Sequence, residues 1–194
     1  MKKIISFTIL VFISICCLGQ TKYSFIIPKF ESAAKKHNAD TKFMFIVDYS
    51  IPSNKNRFFL YDVVKNKIIY SCWCAHGCGG GSTAEKPVFS NQPGSNCSSL
   101  GWYLIDKSVG QSAHYKYNYH TVDGLSSSNS NARTRQILIH HWWQVDDDYN
   151  NRINVPMNCD YRSAGCFTTT KTAFNYISNF IKSRNKRLLL YAIY

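Results

Sequence analysis

The pattern of hydrophobic and polar positions predicts a mainly β domain of the α+β class. Short runs of β-branched and aromatic residues, separated by turn-forming residues, are typical of strands. Runs of this kind occupy residues 43–49, 57–62, 68–75, 98–105, 114–122, 135–141 and 188–194. The first three are joined by short turns, so we expect an antiparallel meander. The predicted core is therefore a sheet.

Two further segments have the period of a helix. Residues 28–38 begin with Pro28 and place Phe30, Ala33 and Ala34 near one face, which predicts a short amphipathic helix. Residues 170–184 repeat apolar side chains at helical spacing and predict a longer helix after Cys166. With 194 residues, the chain is long enough for one domain with a substantial core.

The N-terminus reads as an export signal. Lys2 and Lys3 precede an apolar run that ends near Gly19, a pattern typical of a cleaved signal peptide. We therefore divide the chain into a signal peptide (1–19), a lead-in helix (20–42) and a main domain (43–194). The expected location is the periplasm or cell envelope. Acylation at Cys16 or Cys17, as in a lipoprotein, is the second choice.

The charge is strongly basic but dispersed. Lys and Arg number 23 against 11 Asp and Glu, for a formal net charge of +12. No nucleic-acid-binding motif accompanies the basic residues, so we expect a solvated surface and no nucleic-acid partner. The glycine-rich loop at 76–82 lacks the Lys-Ser/Thr ending of a phosphate-binding loop, which argues against nucleotide binding.

Six of the eight cysteines lie outside the leader. The spacing Cys72-x-Cys74-x-His76-x-Cys78 permits a zinc site, but the usual paired C-x-x-C spacing is missing. We prefer a disulfide from this cluster to Cys97 or Cys159, since an exported protein can form one. We expect no metal and no cofactor.

The sixth cysteine has the setting of a nucleophile. Cys166 follows Gly165, and Gly165 lies two residues after Ser163. Glycine permits a tight turn whose amides can face a developing oxyanion. His140 and His141 end an apolar run, where a strand would hold a base rigidly, and a thiol needs such a partner to react at neutral pH. The alternative is an inert thiol and a structural histidine.

Several short motifs, taken in order, resemble one family. They are Val47-Asp48-Tyr49, Ala75-His76-Gly77, Phe89-Ser90-Asn91, Ser98-Ser99-Leu100-Gly101, Asp123-Gly124-Leu125, Asn131-Ala132-Arg133 with Arg135, Ile139-His140, and Arg162-Ser163-Ala164-Gly165-Cys166. In this order they resemble the murein L,D-transpeptidase catalytic domain family, related to the YkuD-type enzymes. The resemblance runs from about Phe43 to Tyr194 and implies a YkuD-like β-sandwich or mixed sheet.

The resemblance also implies the catalytic residues. Cys166 stands at the position of the nucleophile and His140 at that of the general base, oriented by the backbone carbonyl of the next residue, His141. Ser163 and Gly165 match the frame of the oxyanion hole. Two positions depart from the family pattern: Ala164 replaces a larger His or Trp, and His141 replaces a small residue. His141 is therefore a second candidate base.

The implied substrates are peptidoglycan stem peptides, cross-linked 3→3 through a thioester. The arginine fork fits carboxylates, so Arg162, Arg133 and Arg135 are candidate substrate-binding residues, together with His76. The resemblance also implies inhibition by carbapenem β-lactams, and we expect a monomer. The alternatives are an L,D-carboxypeptidase on the same substrate and a non-catalytic wall-binding module. A papain-like peptidase fits less well, because there the cysteine precedes the histidine.

Overall fold

The computed structural model describes residues 22–145 and 163–194. Nine strands are present there: β1 (Phe43–Asp48), β2 (Phe58–Asp62), β3 (Lys67–Cys72), β4 (Gly101–Ile105), β5 (Gly110–Gln111), β6 (Asn118–Gly124), β7 (Leu138–His141), β8 (Phe167–Thr169) and β9 (Leu189–Ile193). Two α-helices accompany them, α1 (Ile27–Lys36) and α2 (Lys171–Ser183). The mainly β class and the two flanking helices are thereby confirmed.

The strands form one mixed sheet in the order β3-β2-β1-β9-β4-β6-β7-β8, with β5 paired to β6. Two pairings are parallel, β1 with β9 and β7 with β8. Beyond the end of β3, Ala75 bridges to Thr168 of β8, and the Ala75 amide donates to the Thr168 carbonyl at 2.8 Å. This bridge brings the two edges of the sheet together and nearly closes it.

Each face of the sheet carries its own hydrophobic cluster. On one face, α1 buries Phe30 and Ala34 against Met44, Ile46 and neighbouring residues of the sheet. On the other, α2 buries its apolar side against a larger cluster. The apolar residues on that buried side are Ala173, Phe174, Ile177 and Ile181, and their positions follow the 3.6-residue period of a helix.

The helix α2 begins directly after the strand that follows Cys166. Thr170 caps it, because its Oγ1 accepts a hydrogen bond from the Ala173 amide at 3.2 Å. The start of α2 is therefore fixed by the cap, and β8 and α2 form one rigid strand–helix unit behind the cysteine.

Two predicted boundaries differ from the structure as follows. Residues 114–117 were expected in a strand but form the loop before β6, since Lys116 adopts a left-handed backbone and its amide returns to the Ser112 carbonyl. Asp123 and Gly124 were expected to turn but belong to β6.

Within the described residues, no helix is long and apolar enough to cross a membrane.

Candidate active site

The pairing of β7 with β8 brings the predicted histidine and cysteine to one end of the sheet. Ile139 pairs with Phe167 and His140 with Thr168, in parallel. Cys166 therefore lies one residue before β8, next to the start of β7. Its Sγ donates to the Gln136 carbonyl at 3.6 Å. The side chain of Cys166 is half-buried.

Ser163 holds the turn that presents Cys166. Its Oγ donates to the Cys166 carbonyl at 2.8 Å and accepts from the Gly165 amide at 3.0 Å. The Ser163 carbonyl in turn accepts from the Cys78 amide at 3.0 Å. The Ser163 hydroxyl thus closes the turn on itself, and the Gly165 amide is committed to that hydroxyl.

Gly165 is required by both its conformation and its surroundings. Its φ is +112°, which side chains rarely adopt, and a Cβ there would lie 2.5 Å from the Cys97 carbonyl oxygen and 2.9 Å from Arg135 Nη2. The backbone beside the thiol can approach its neighbours this closely only because it lacks a side chain.

The guanidinium of Arg135 supports this turn through hydrogen bonds to neighbouring loops. Its Nη1 donates to the Ser90 carbonyl at 2.8 Å and approaches Ser99 Oγ at 3.4 Å, while its Nη2 donates to the Cys97 carbonyl. The guanidinium therefore ties two loops together under Gly165. The structure gives Arg135 a supporting position with its donors engaged, rather than one open to a substrate carboxylate.

The imidazole of His140 makes three contacts that define its state. Its Nδ1 lies 2.9 Å from the His141 carbonyl, its Nε2 lies 3.2 Å from Thr168 Oγ1, and its ring stacks on Tyr117 with 4.4 Å between ring centroids. A carbonyl can only accept, so Nδ1 carries the hydrogen and Nε2 is the acceptor in the neutral ring. The backbone contact to His141 is the one that the family resemblance implies.

Burial sets the protonation states of the pair. Desolvation lowers the pKa of His140 to about 4 and raises the pKa of Cys166 to about 11. The Leu138 amide and the charge of Arg135 oppose part of the shift at Cys166. At neutral pH the resting site therefore holds a thiol and a neutral imidazole, with the proton still on the sulfur.

The two histidines face opposite sides of β7, because successive side chains on a strand alternate. His141 packs against Phe174 of α2, with 5.8 Å between ring centroids. His140 shares its side with Leu138, which lines a cleft. The geometry therefore favours His140 over His141 as the partner of Cys166.

The cleft beside Gln136 and Leu138 has a volume of about 550 Å³. Its wall is built from the β5–β6 loop, β6 and the residues that lead into β7, and includes Ser112, Tyr117, Tyr119, Thr121, Arg133, Gln136, Ile137 and Leu138. Arg133 lines this cleft, but its guanidinium pairs with Asp123 at 2.7 Å and Asp106 at 2.9 Å. Its role toward a substrate carboxylate stays a prediction.

His76 is not placed to contact a substrate. It is fully buried, and its Nδ1 accepts from Arg57 Nη2 at 2.7 Å. Burial and the adjacent guanidinium lower the pKa of His76 to about 4, which keeps the ring neutral. We therefore correct the assignment of His76 from a substrate-binding to a structural position.

The expected disulfide to Cys97 is absent, because Cys97 and Cys78 both carry free thiols. The other expected partner, Cys159, lies outside the described residues, as does Arg162. Within the described part of the chain, no group of three or more His, Cys, Asp or Glu side chains could hold a metal ion.

Three site residues escaped the sequence analysis. Thr168 contacts the imidazole, Tyr117 stacks on it, and Gln136 accepts from the thiol. Thr168 could have been found, since it lies only two residues after Cys166, on the strand that directly follows it. Tyr117 depends on the fold of a loop, and Gln136 acts through its backbone, so neither leaves a signal in the side-chain pattern.

Comparison with known proteins identifies the family. The family model YkuD_2, the L,D-transpeptidase catalytic domain, matches residues 18–191. The chain therefore belongs to the L,D-transpeptidase catalytic domain family, and the resemblance noted from its motifs is confirmed. No curated protein sequence matches the chain.

Several solved structures resemble this chain, at low sequence identity. The LD transpeptidase LdtMt1 in complex with imipenem is 11% identical, with a TM-score of 0.43, and the match covers 78% of this chain and 59% of that one. An L,D-transpeptidase from Mycobacterium smegmatis is 11% identical, with a TM-score of 0.43, and the match covers 79% of this chain and 59% of that one. The helical cell shape determining protein Pgp2 from Campylobacter jejuni is 12% identical, with a TM-score of 0.47, and the match covers 88% of this chain and 56% of that one. The match spans less than two thirds of the length of each.

Proposed function

We propose that this protein is an exported cysteine acyltransferase that acts on peptidoglycan stem peptides, with Cys166 as nucleophile and His140 as general base. The observation that carries the proposal is the pairing of β7 with β8. It brings a neutral imidazole, fixed through Nδ1 by the His141 carbonyl, to the same end of the sheet as the thiol of a glycine turn. Membership in the L,D-transpeptidase family supports the reaction class.

The reaction begins with deprotonation of the thiol. Cys166 Sγ gives its proton to Nε2 of His140 and attacks the carbonyl carbon between the third residue of the stem and its terminal D-Ala. The C–N bond then breaks, and the D-Ala nitrogen takes the proton from the imidazolium. A thioester to Cys166 remains. Because desolvation lowers the pKa of His140, the imidazolium returns its proton readily.

The oxyanion of the tetrahedral intermediate requires amide donors near the thiol. The Gly165 amide already donates to Ser163 Oγ, so we assign the main role to the Cys166 amide. One such donor is typically worth about 3 kcal/mol of transition-state stabilisation. Arg135 holds Gly165 in place and adds positive charge beside the developing anion.

The acceptor decides the product. An amine of a second stem peptide gives a 3→3 cross-link, whereas water gives an L,D-carboxypeptidase. Incubation with a tetrapeptide stem, followed by mass spectrometry of the products, separates the two: a dimer lacking one D-Ala indicates transpeptidation, and a tripeptide alone indicates hydrolysis.

The central experiment is intact-mass spectrometry after incubation with a carbapenem. The family includes a protein seen in complex with imipenem, which motivates the probe. We expect one covalent adduct on the wild-type protein and none on Cys166→Ala. The matched control is Cys78→Ala, which removes an exposed free thiol and should keep the adduct. An adduct that survives Cys166→Ala, or its absence from a folded wild-type protein, would refute the proposed nucleophile.

A further inference from the structure

The Thr168 hydroxyl is hydrogen-bonded to Nε2 of His140, the nitrogen that must accept the proton of Cys166 in the proposed reaction. The Nδ1 hydrogen of His140 is used by the His141 carbonyl, so Nε2 is left with a single in-plane lone pair. Thr168 Oγ1 lies 3.2 Å from Nε2, and only the hydroxyl can be the donor between these two atoms. In the resting site the basic lone pair therefore accepts from Thr168.

The thiol is engaged elsewhere at the same time. Cys166 Sγ donates to the Gln136 carbonyl, 3.6 Å away. Thr168 is the second residue of β8 and Cys166 directly precedes that strand, and the proposed proton transfer requires Cys166 Sγ to donate to the same nitrogen. Because Nε2 accepts one hydrogen bond in its plane, the two donors compete for it.

The position of Thr168 is fixed by backbone contacts on both sides. Its residue pairs with His140 of β7, and its carbonyl accepts from the Ala75 amide at the seam of the sheet. The side chain is fully buried. Its hydroxyl cannot move away with the backbone and leaves Nε2 only by rotation about χ1.

We propose that Thr168 is a positioning residue that holds the imidazole of His140 through Nε2 in the resting site and must release it before Cys166 can give up its proton. This inference rests on the proposed function. On substrate binding, the hydrogen bonds from Oγ1 to Nε2 and from Sγ to the Gln136 carbonyl break, and one from Sγ to Nε2 forms. The covalent chemistry that follows is unchanged.

The surroundings of the imidazole define what a test must hold constant. Among the described residues, the titratable groups in contact with His140 are Tyr117, stacked on its ring from the β5–β6 loop, and His141 on its own strand, while Cys166 lies on the turn before β8. None of these is altered by a change at Thr168 that keeps the volume of the side chain.

The test compares Thr168→Val, which is nearly isosteric but lacks the hydroxyl, with Thr168→Ser, which keeps it. Thr169→Val is the matched neighbour, since the Thr169 hydroxyl donates to the Thr170 carbonyl and not to His140. NMR of protein with ¹⁵N-labelled histidine reports the tautomer and pKa of His140. Stopped-flow acylation by a carbapenem reports the rate at Cys166.

A hydrogen bond to the neutral imidazole lowers its basicity, so its loss in Thr168→Val should raise the pKa of His140 by about 0.5–1 unit. It should also speed acylation at pH 7 about 2- to 10-fold. Thr168→Ser and Thr169→Val should match the wild type in both readouts. If Thr168→Val unfolds, Thr168→Ala serves in its place, with the same expectation.

Two results would overturn the inference. The first is an unchanged or lower pKa of His140 in Thr168→Val. The second is slower acylation despite a raised pKa, which would mean that the hydroxyl passes the proton from the thiol to the imidazole. If the wild-type protein is not acylated at all, the proposed function fails, and the NMR measurement alone still decides whether Thr168 holds Nε2.

Discussion

The protonation state of the resting thiol gives the sharpest prediction, because it sets how the reactivity of Cys166 changes with pH. Burial raises the pKa of Cys166 to about 11, so at pH 7 the thiolate fraction is on the order of 10⁻⁴. An ordinary thiol with a pKa of about 8.5 has about 3% thiolate at that pH. The difference in thiolate is roughly 300-fold.

Part of that difference is recovered by nucleophilicity. A more basic thiolate attacks faster, with a Brønsted coefficient of about 0.4–0.5, which over 2.5 units returns a factor of roughly 13. Cys166 should therefore react with iodoacetamide about 20-fold more slowly at pH 7 than the cysteine of an unstructured peptide. Its rate should rise tenfold per pH unit and level off only near pH 11.

The assay is peptide mass spectrometry of iodoacetamide-treated protein between pH 6 and pH 10, in a Cys78→Ser background that removes an exposed thiol. An unstructured peptide with a single cysteine, in the same tube, is the reference. A rate that is already constant at pH 6–8, and faster than the reference, would show a thiolate–imidazolium pair at rest. It would refute the argument that substrate binding must trigger proton transfer.

Two further predictions concern stability. Since the pKa values of His140 and His76 are lowered to about 4, their full contribution to the free energy of unfolding is present above pH 6.5 and is lost as the pH falls toward 4. For each histidine, the free energy of unfolding measured with urea should fall by about 2 kcal/mol between pH 7 and pH 5. Equal stabilities at the two pH values would contradict this. Gly165→Ala should cost at least about 2 kcal/mol, whereas Gly81→Ala, also at positive φ but with open space around it, should cost less. Equal losses would show that crowding at Gly165 is unimportant.

The class of fold was predictable because it follows from local patterns, and the same kind of pattern led to Cys166 and His140 as the predicted catalytic pair. Alternating and continuous apolar runs marked the strands, and the Ser163-x-Gly165-Cys166 turn and the strand ending in His140 marked the chemistry. The choice between His140 and His141 needed the structure, since only the side of β7 that faces α2 separates them.

Other site features depend on contacts between distant segments. Arg135 is separated from Ser90 and Cys97 by about forty residues, and its spacing in the sequence does not reveal that its donors are used inside the protein. His76 was predicted to bind substrate, but the structure buries it and hydrogen-bonds its Nδ1 to Arg57, which lies just before β2. A polar side chain in a motif does not disclose whether it faces a cleft or a core.

The central position of β9 determines when the site can be assembled. This strand, Leu189–Ile193, lies between β1 and β4 and joins β3-β2-β1 to β4-β6-β7-β8. Until it is inserted, the bridge from Ala75 to Thr168 must close the sheet without support from its middle. Contacts between residues so far apart in the chain form slowly, because the entropy of closing the intervening loop is lost before they form. We therefore expect the seam at Thr168 to close slowly, and only after β9 has joined the two halves of the sheet.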